Sequence, residues 1–289
     1  MKAINLATNA ADIVKANPVY EQVNTHIDSK HNVAWCYMNP APRSCFNTTL
    51  LNELSDWCNY LRDYGLEREI HYHVIASAKS GVYNLGGDLE LFRNLIEDGD
   101  RAGLKAYGKA CIDVLYANIR GFHRPITTIS LVQGDALGGG FETALSSEII
   151  IAEKGSRMGF PEILFNLIPG MGAFNLLLRK LDAKRAERII LSGKLYSAEE
   201  LYDMGLVDEL AEEGEGEMAV YDYIRRENRA RNGFRALREV RDLLSPITYE
   251  QLDGVVEIWV DTALRLERRD LRMMERLVSR QCSVAEQAA

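Results

Sequence analysis

The chain has 289 residues, 47% of them hydrophobic, enough for one large packed domain or a domain with an appendage, which excludes a disordered protein. With 34 basic against 42 acidic residues the formal charge is −8, which excludes a general attraction for nucleic acid or for an anionic membrane. Any acidic partner therefore needs a local basic patch.

Residues 1 to about 30 carry little pattern, although Asp12 to Lys15 suits the start of a short helix. Asn32 to Met38 (NVAWCYM) predicts a strand, and after the Pro40 to Pro42 turn Asn47 or Thr48 can cap a helix running to about Asp63. Ile70 to Ala78 predicts a second strand. It leads into the turn Asn84-Leu85-Gly86-Gly87-Asp88, after which Leu89, Leu91, Phe92 and Leu95 fall on one face of a helix. A long helix is expected over residues 100–120, and Pro125 ends anything helical before the β-branched strand Ile126 to Val132. Gly134 to Gly140 reads as a second turn feeding a helix that contains Glu142. The strand Glu148 to Ala152 and the segment GFPEILFNLIPGMG (159–172) follow. Strands alternating with helices argue for an α/β fold. Beyond residue 172 the signals are almost all helical, including the capping box Ser197-Ala198-Glu199-Glu200. EEGEGE at 212–217 reads as a surface loop. From Pro246, Leu252, Val255, Val256, Trp259, Ala263 and Leu266 keep helical spacing, so the helical end is expected to pack on the core.

The five cysteines, Cys36, Cys45, Cys58, Cys111 and Cys282, are odd in number, widely spaced and without a CxxC pair, so they read as structural thiols in a reducing compartment. The amino terminus has no basic-then-apolar leader, and no run approaches the roughly 20 apolar residues that cross a bilayer. A soluble cytoplasmic protein is expected. His71 and His73 share one strand face at a spacing that permits metal ligation, but no acidic or cysteine partner is near in sequence; solvent exposure or a core hydrogen bond is the simpler expectation, and no metal is predicted.

The most informative piece is Gly134-Asp135-Ala136-Leu137-Gly138-Gly139-Gly140-Phe141-Glu142. Three glycines between a strand and a helix leave free backbone N–H groups with no side chain in front of them, the raw material of an oxyanion hole. A tight strand-to-helix connection without any ligand explains the same glycines. A dinucleotide fingerprint does not, because the third glycine of GxGxxG is missing. Glu142, in the first turn of its helix, and Glu162, after Pro161, each read equally as helix-start charges or as a functional pair.

LVQGDALGGGFETAL, GFPEILFNLIPGMG and LSGKLYSAEELYDMGLVDEL, in that order, resemble the crotonase (enoyl-CoA hydratase/isomerase) superfamily. NVAWCYMNPAPRSCFNTTLLNEL resembles its first strand and helix, and YNLGGDLELF its first oxyanion turn. A closer likeness, carried by residues 83–89, GGGFE at 138–142, FPEILFNLIPGMG at 160–172 and EIWVDTAL at 257–264, is to the diffusible-signal-factor synthases, bacterial crotonase-fold enzymes that make cis-2-unsaturated fatty-acid signals. One departure from many hydratases is Gly172-Ala173-Phe174-Asn175, where those have a GGTQR-like run.

The resemblance implies a spiral of ββα units with a helical carboxy-terminal region. Residues 1–30 would be an extension, 31–210 the catalytic core, and 211–289 a helical part covering the site and assisting a homotrimer or hexamer. It also implies dehydration of a 3-hydroxyacyl thioester on acyl carrier protein, with hydrolysis releasing a free cis-2-enoic acid for quorum sensing. Alternatives are a CoA-linked enoyl hydratase or isomerase, or a non-catalytic acyl-binding regulatory protein. Carried over by position, Glu142 and Glu162 are the catalytic acid and base, Gly87 and Gly139 the oxyanion N–H groups, and Leu85, Gly86, Gly138, Met171 and Trp259 contacts to substrate. Trp259 reads equally as an ordinary core tryptophan. No resident cofactor is implied, since carrier-protein phosphopantetheine or CoA arrives with the substrate, and a sensor kinase is a regulatory partner the subgroup suggests. Arg179, Lys180, Lys184, Arg185 and Arg188 are candidates for an acidic carrier or a CoA phosphate, against the simpler reading of a solvated helix face.

Overall fold

The computed structural model describes residues 18–287, with side chains through residue 277, so the Asp12–Lys15 helix start and the Cys282 thiol lie outside the described residues. Strand β1 (Val23–Asp28) is followed by β2 (Val33–Met38), helix α1 (Thr48–Tyr64), strands β3 (Tyr72–Ser77) and β4 (Gly81–Asn84), and helices α2 (Leu89–Glu97) and α3 (Arg101–Ile119). Next come β5 (Thr127–Val132), β6 (Gly134–Leu137), α4 (Gly139–Ser146), β7 (Ile149–Glu153) and β8 (Arg157–Gly159). After a short 3₁₀ turn at Glu162–Phe165 the chain forms α5 (Ala173–Leu178), α6 (Ala183–Ser192), β9 (Leu195–Ser197), α7 (Ala198–Asp203) and β10 (Glu209–Ala211). It finishes with α8 (Gly216–Asn228), α9 (Arg231–Leu244), α10 (Tyr249–Ala263) and α11 (Arg268–Gln287).

The strands divide between two sheets, one in the order β1-β2-β3-β5-β7-β10 and one in the order β4-β6-β8-β9. Successive strand pairs, β3 with β4, β5 with β6 and β7 with β8, each give one strand to either sheet, which is the spiral expected from the sequence. The central strands β3 and β5 are buried on both faces, as parallel sheets require. Val33, Trp35, Tyr72 and Val74 pack towards Val220, Tyr223 and Ile224 of α8. Ala34, Cys36 and Met38 point the other way, into the main core with α1 and α3.

Caps form where the sequence placed them. Asn47 accepts from Leu50 N, starting α1, and the Ser197–Glu200 box is closed in both directions. Several short strands were not foreseen. β1 falls in the stretch with little sequence pattern; it is an edge strand with one antiparallel neighbour, so its polar Asn24 and His26 cost nothing there. β4, β6, β8, β9 and β10 have three or four residues each, too few to display a period. Residues 134–137 accordingly form a strand, and the turn proper begins at Gly138.

The helical end packs on the core through α8 and α10, whereas α9 buries no side chain completely. Its inward contacts are polar: Arg238 donates to the Thr127 hydroxyl at 2.6 Å and pairs with Glu227 Oε1 at 2.9 Å, while Leu237, Leu243 and Leu244 are exposed.

Candidate active site

Parallel pairing in the smaller sheet decides where the chemistry lies. β4 runs beside β6 (Gly81 opposite Gly134) and β6 beside β8 (Leu137 opposite Gly159). Three strands running the same way deliver their carboxyl ends to one rim, so the exits at 85–88, 138–142 and 160–162 become neighbours although they are far apart in sequence. The nine residues that the resemblance carries over as catalytic, oxyanion or substrate contacts, Leu85, Gly86, Gly87, Gly138, Gly139, Glu142, Glu162, Met171 and Trp259, all line one cavity of about 310 Å³ at this rim.

The two glycine turns meet backbone to backbone. A Cβ added to Gly139 would stand 3.6 Å from Gly87 N, and one added to Gly86 would stand 3.2 Å from Gly139 N. Gly86 has φ of 92° and Gly138 φ of 52°, the left-handed region that favours glycine. Gly138 N donates to Gly159 O and Gly86 N to Asn84 Oδ1, while Gly87 N and Gly139 N have no acceptor among the described residues. Two unpaired amides side by side at a helix start can hold a carbonyl oxygen that becomes negative. Tyr107 steadies the first turn, its hydroxyl donating to Phe46 O at 2.6 Å and accepting from Asp88 N at 3.3 Å.

Glu142, only 1% exposed, sits in the first turn of α4, and its Oε1 accepts from Met171 N and Ala173 N, both at 2.9 Å. Burial raises its pKa to about 7 against the opposing pull of those two N–H groups. Gly172, at φ of 101°, turns the chain so that both amides point inward. The Gly172-Ala173-Phe174-Asn175 departure noted in the sequence thus supplies one of the two hydrogen bonds that hold Glu142.

Glu162 opens the 3₁₀ turn after β8. Part of it faces the cavity, so it retains some accessible surface, but protein encloses it and its Oε2 is buried without a partner among the described residues. Burial first, and the neighbouring Glu142 charge second, raise its pKa to about 8. Near neutral pH the two carboxyls therefore share one proton, and the pair offers one acid and one base.

Apolar side chains complete the cavity. Trp259 is 4% exposed, stacks edge-on against Phe92 at 5.0 Å, and lies over Gly170, where an added Cβ would stand 2.7 Å from its Cγ. Leu277 of α11 lines the same space. At the lip, Arg157 makes a two-point ion pair with Asp135, at 2.6 and 3.1 Å. Sequence reasoning gave no site role to Tyr107 or Phe92, which stand on helices away from the glycine turns, or to the Asp135–Arg157 pair, whose partners lie on different strands and meet only through the fold.

A family model described as enoyl-CoA hydratase/isomerase matches residues 29–246. The chain belongs to that family. It is 30% identical over 171 residues to the 2,3-dehydroadipyl-CoA hydratase of Escherichia coli, covering 59% of this chain and 62% of that one. The chain spans about three fifths of the length of the curated relatives it matches. Among solved structures, enoyl-CoA hydratase from Bacillus halodurans superposes with a TM-score of 0.75 at 20% identity, covering 89% of this chain and 100% of that one. Pseudomonas aeruginosa DspI superposes with a TM-score of 0.69 at 23% identity, over 85% and 98% of the two chains. These likenesses extend the family's fold over the greater part of the molecule.

Other sequence candidates lie elsewhere. Arg179 pairs with Asp242, Lys180 with Asp208 at 3.0 Å, Lys184 with Glu187 and Arg185 with Asp182, so most of that basic run is matched by local carboxylates. His71 contacts Arg231, and His73 is buried against Trp57. No group of three or more His, Cys, Asp or Glu residues able to hold a metal occurs among the described residues. Cys36, Cys45, Cys58 and Cys111 form no disulfide among the described residues; burial pushes the Cys58 thiol up to about 12 and raises that of Cys111 as well, leaving these two poor nucleophiles. No described helix is long and apolar enough to cross a membrane.

Proposed function

We propose that this member of the enoyl-CoA hydratase/isomerase family adds and removes water across C2 and C3 of an acyl thioester. The observation that carries the reading is the meeting of Glu142, Glu162 and the unpaired Gly87 and Gly139 amides in one apolar cavity. In the dehydrating direction the reacting form of the coupled pair has Glu162 ionised and the shared proton on Glu142, so that Glu162 takes the C2 proton and Glu142 gives a proton to the departing C3 hydroxyl. The two amides hold the thioester oxygen as C2 gains enolate character, a role in which one donor is worth about 3 kcal/mol. Each carboxyl contributes about 10²- to 10⁴-fold. The curated relatives favour a CoA thioester as the carrier, with double-bond migration available to the same two carboxyls.

A second reading is favoured by Trp259, which belongs to the EIWVDTAL segment and closes the apolar side of the cavity. It takes a medium-chain 3-hydroxyacyl group from acyl carrier protein, dehydrates it to the cis-2-enoyl thioester, and admits water to the same carbonyl to release the free acid. Matched CoA and carrier-protein substrates analysed by mass spectrometry separate the two. Enoyl- and 3-hydroxyacyl-CoA interconverting without release of free acid supports the first, and free cis-2-enoic acid from the carrier-bound substrate supports the second. No turnover of either substrate sinks both.

A further inference from the structure

The two oxyanion amides are held in different ways. Gly139 is the first residue of α4, and its turn is tied down where Gly138 N donates to Gly159 O and Glu142 N to Gly138 O, both at 2.9 Å. Gly87 lies between the end of β4 and the start of α2 and pairs with Phe46 in an isolated parallel bridge. A glycine in such a stretch has no side chain to restrict its backbone angles, so its peptide planes go where their hydrogen bonds take them.

One bond of that bridge is ordinary: Phe46 N donates to Gly86 O at 2.8 Å. Gly86 C=O and Gly87 N–H belong to one planar trans peptide and point in opposite directions. The bond therefore turns the Gly87 N–H away from Phe46. The return bond of a parallel pair would run from Asp88 N to Phe46 O. Here it runs by way of Tyr107 of α3, whose hydroxyl donates to Phe46 O at 2.6 Å and accepts from Asp88 N at 3.3 Å.

A phenol has one hydrogen, and that of Tyr107 is committed to Phe46 O, so towards Asp88 N and the Cys111 thiol, its other neighbours, the oxygen only accepts. Burial keeps the phenol protonated, raising its pKa well above the usual value. The ring is fixed too. It stands edge-on to Phe92 at 4.9 Å, and Phe92 in turn lies against Gly87, where an added Cβ would be 2.5 Å from Cζ. Beyond Gly87, the Asp88 carboxylate anchors the turn by accepting from Leu91 N at 3.2 Å and from Arg43 at 2.8 Å.

We propose that Tyr107 is a positioning residue of the oxyanion pair, its hydroxyl acting as a spacer between Phe46 O and Asp88 N that sets where the Gly87 N–H stands and points relative to that of Gly139. The proposal rests on the acyl-thioester reading of the cavity. Without the hydroxyl, Asp88 N and Phe46 O are free to bond directly, which draws residues 87 and 88 towards Phe46 while Gly139 stays with its helix.

Tyr107→Phe tests this in the full chain. The variant keeps the ring against Phe92 and leaves Asp88 N an acceptor in Phe46 O, so it is expected to fold, and a thermal melt checks that. Crystal structures of parent and variant should show Gly87 N displaced relative to Gly139 N. Unchanged placement overturns the proposal whether or not a thioester is turned over. With an acyl-CoA that the parent turns over, kcat should fall about tenfold or more, short of the roughly 10²- to 10³-fold lost with a whole oxyanion donor, and KM should stay within about twofold. The readout that a merely structural role would not move is the infrared band of the carbonyl in bound [1-¹³C]decanoyl-CoA, a saturated thioester with no C3 hydroxyl to lose and no double bond to hydrate. Hydrogen bonds to the oxygen weaken C=O and lower its stretch, so the band should drop on binding the parent and return part of the way in the variant. A band left at the parent's position, or parental kcat, overturns the positioning role. Failure of the unsubstituted protein to bind or turn over any acyl thioester overturns the functional reading, and the crystal structures still decide whether Tyr107 spaces Gly87.

Discussion

Gly138 presents a bare α-carbon to Glu162: a methyl group there would stand 2.2 Å from Oε1. The carboxyl rests on the turn that carries the Gly139 amide, so acid–base group and oxyanion donor are set by one piece of backbone. Gly138→Ala should therefore displace Glu162 and strain a residue at φ of 52°. We expect kcat to fall by about 10²-fold or more and stability to fall by more than about 1 kcal/mol. Steady-state kinetics and thermal melts check both, and near-parental kcat would show that Glu162 is not held there.

Glu142→Gln and Glu162→Gln should each lower kcat by about 10²- to 10⁴-fold. In Glu142→Gln the new amide oxygen can still accept from Met171 N and Ala173 N, so that variant removes the titrating proton while keeping the hydrogen bonds. Because the two carboxyls share one proton, the double variant should be little worse than the more severe single one. Multiplicative losses would indicate independent roles.

Both carboxyls titrate higher folded than unfolded, Glu142 at about 7 and Glu162 at about 8 against 4.5. Between pH 4.5 and 8 the folded protein binds more protons than the unfolded chain, so stability is fully present below 4.5 and declines as pH rises through that window. Glu162→Gln removes part of this loss. Its Tm relative to the parent should be near zero difference at pH 5 and positive at pH 8.5, and a constant difference across that range would contradict the raised titration. Activity should peak where one carboxyl is protonated and the other ionised, near pH 7 to 8.

Trp259 is a wall of the cavity and part of the core at once. Trp259→Ala should cost about 3–5 kcal/mol of stability. The milder Trp259→Leu should raise KM for medium-chain thioesters several-fold and leave short-chain ones nearly unchanged. Equal effects on both lengths would place the acyl tail elsewhere.

The sequence by itself determined the long elements, whose apolar spacing and caps are local properties. Asn47, Ser197 and the run from Leu252 to Trp259 announce their helices within a few residues. It also determined which residues suit the chemistry, since the glycine turns and their glutamates are contiguous motifs. Only the tertiary structure decided that Gly87, Gly139 and Glu162 share a rim, because that depends on parallel pairing of β4, β6 and β8, strands of three or four residues without a legible period. The raised titrations of Glu142 and Glu162, and the inward pairing of Arg179 and Lys180, were likewise decided there. Burial and the approach of distant charges arise from chain segments far apart in sequence, and no local pattern encodes their distances.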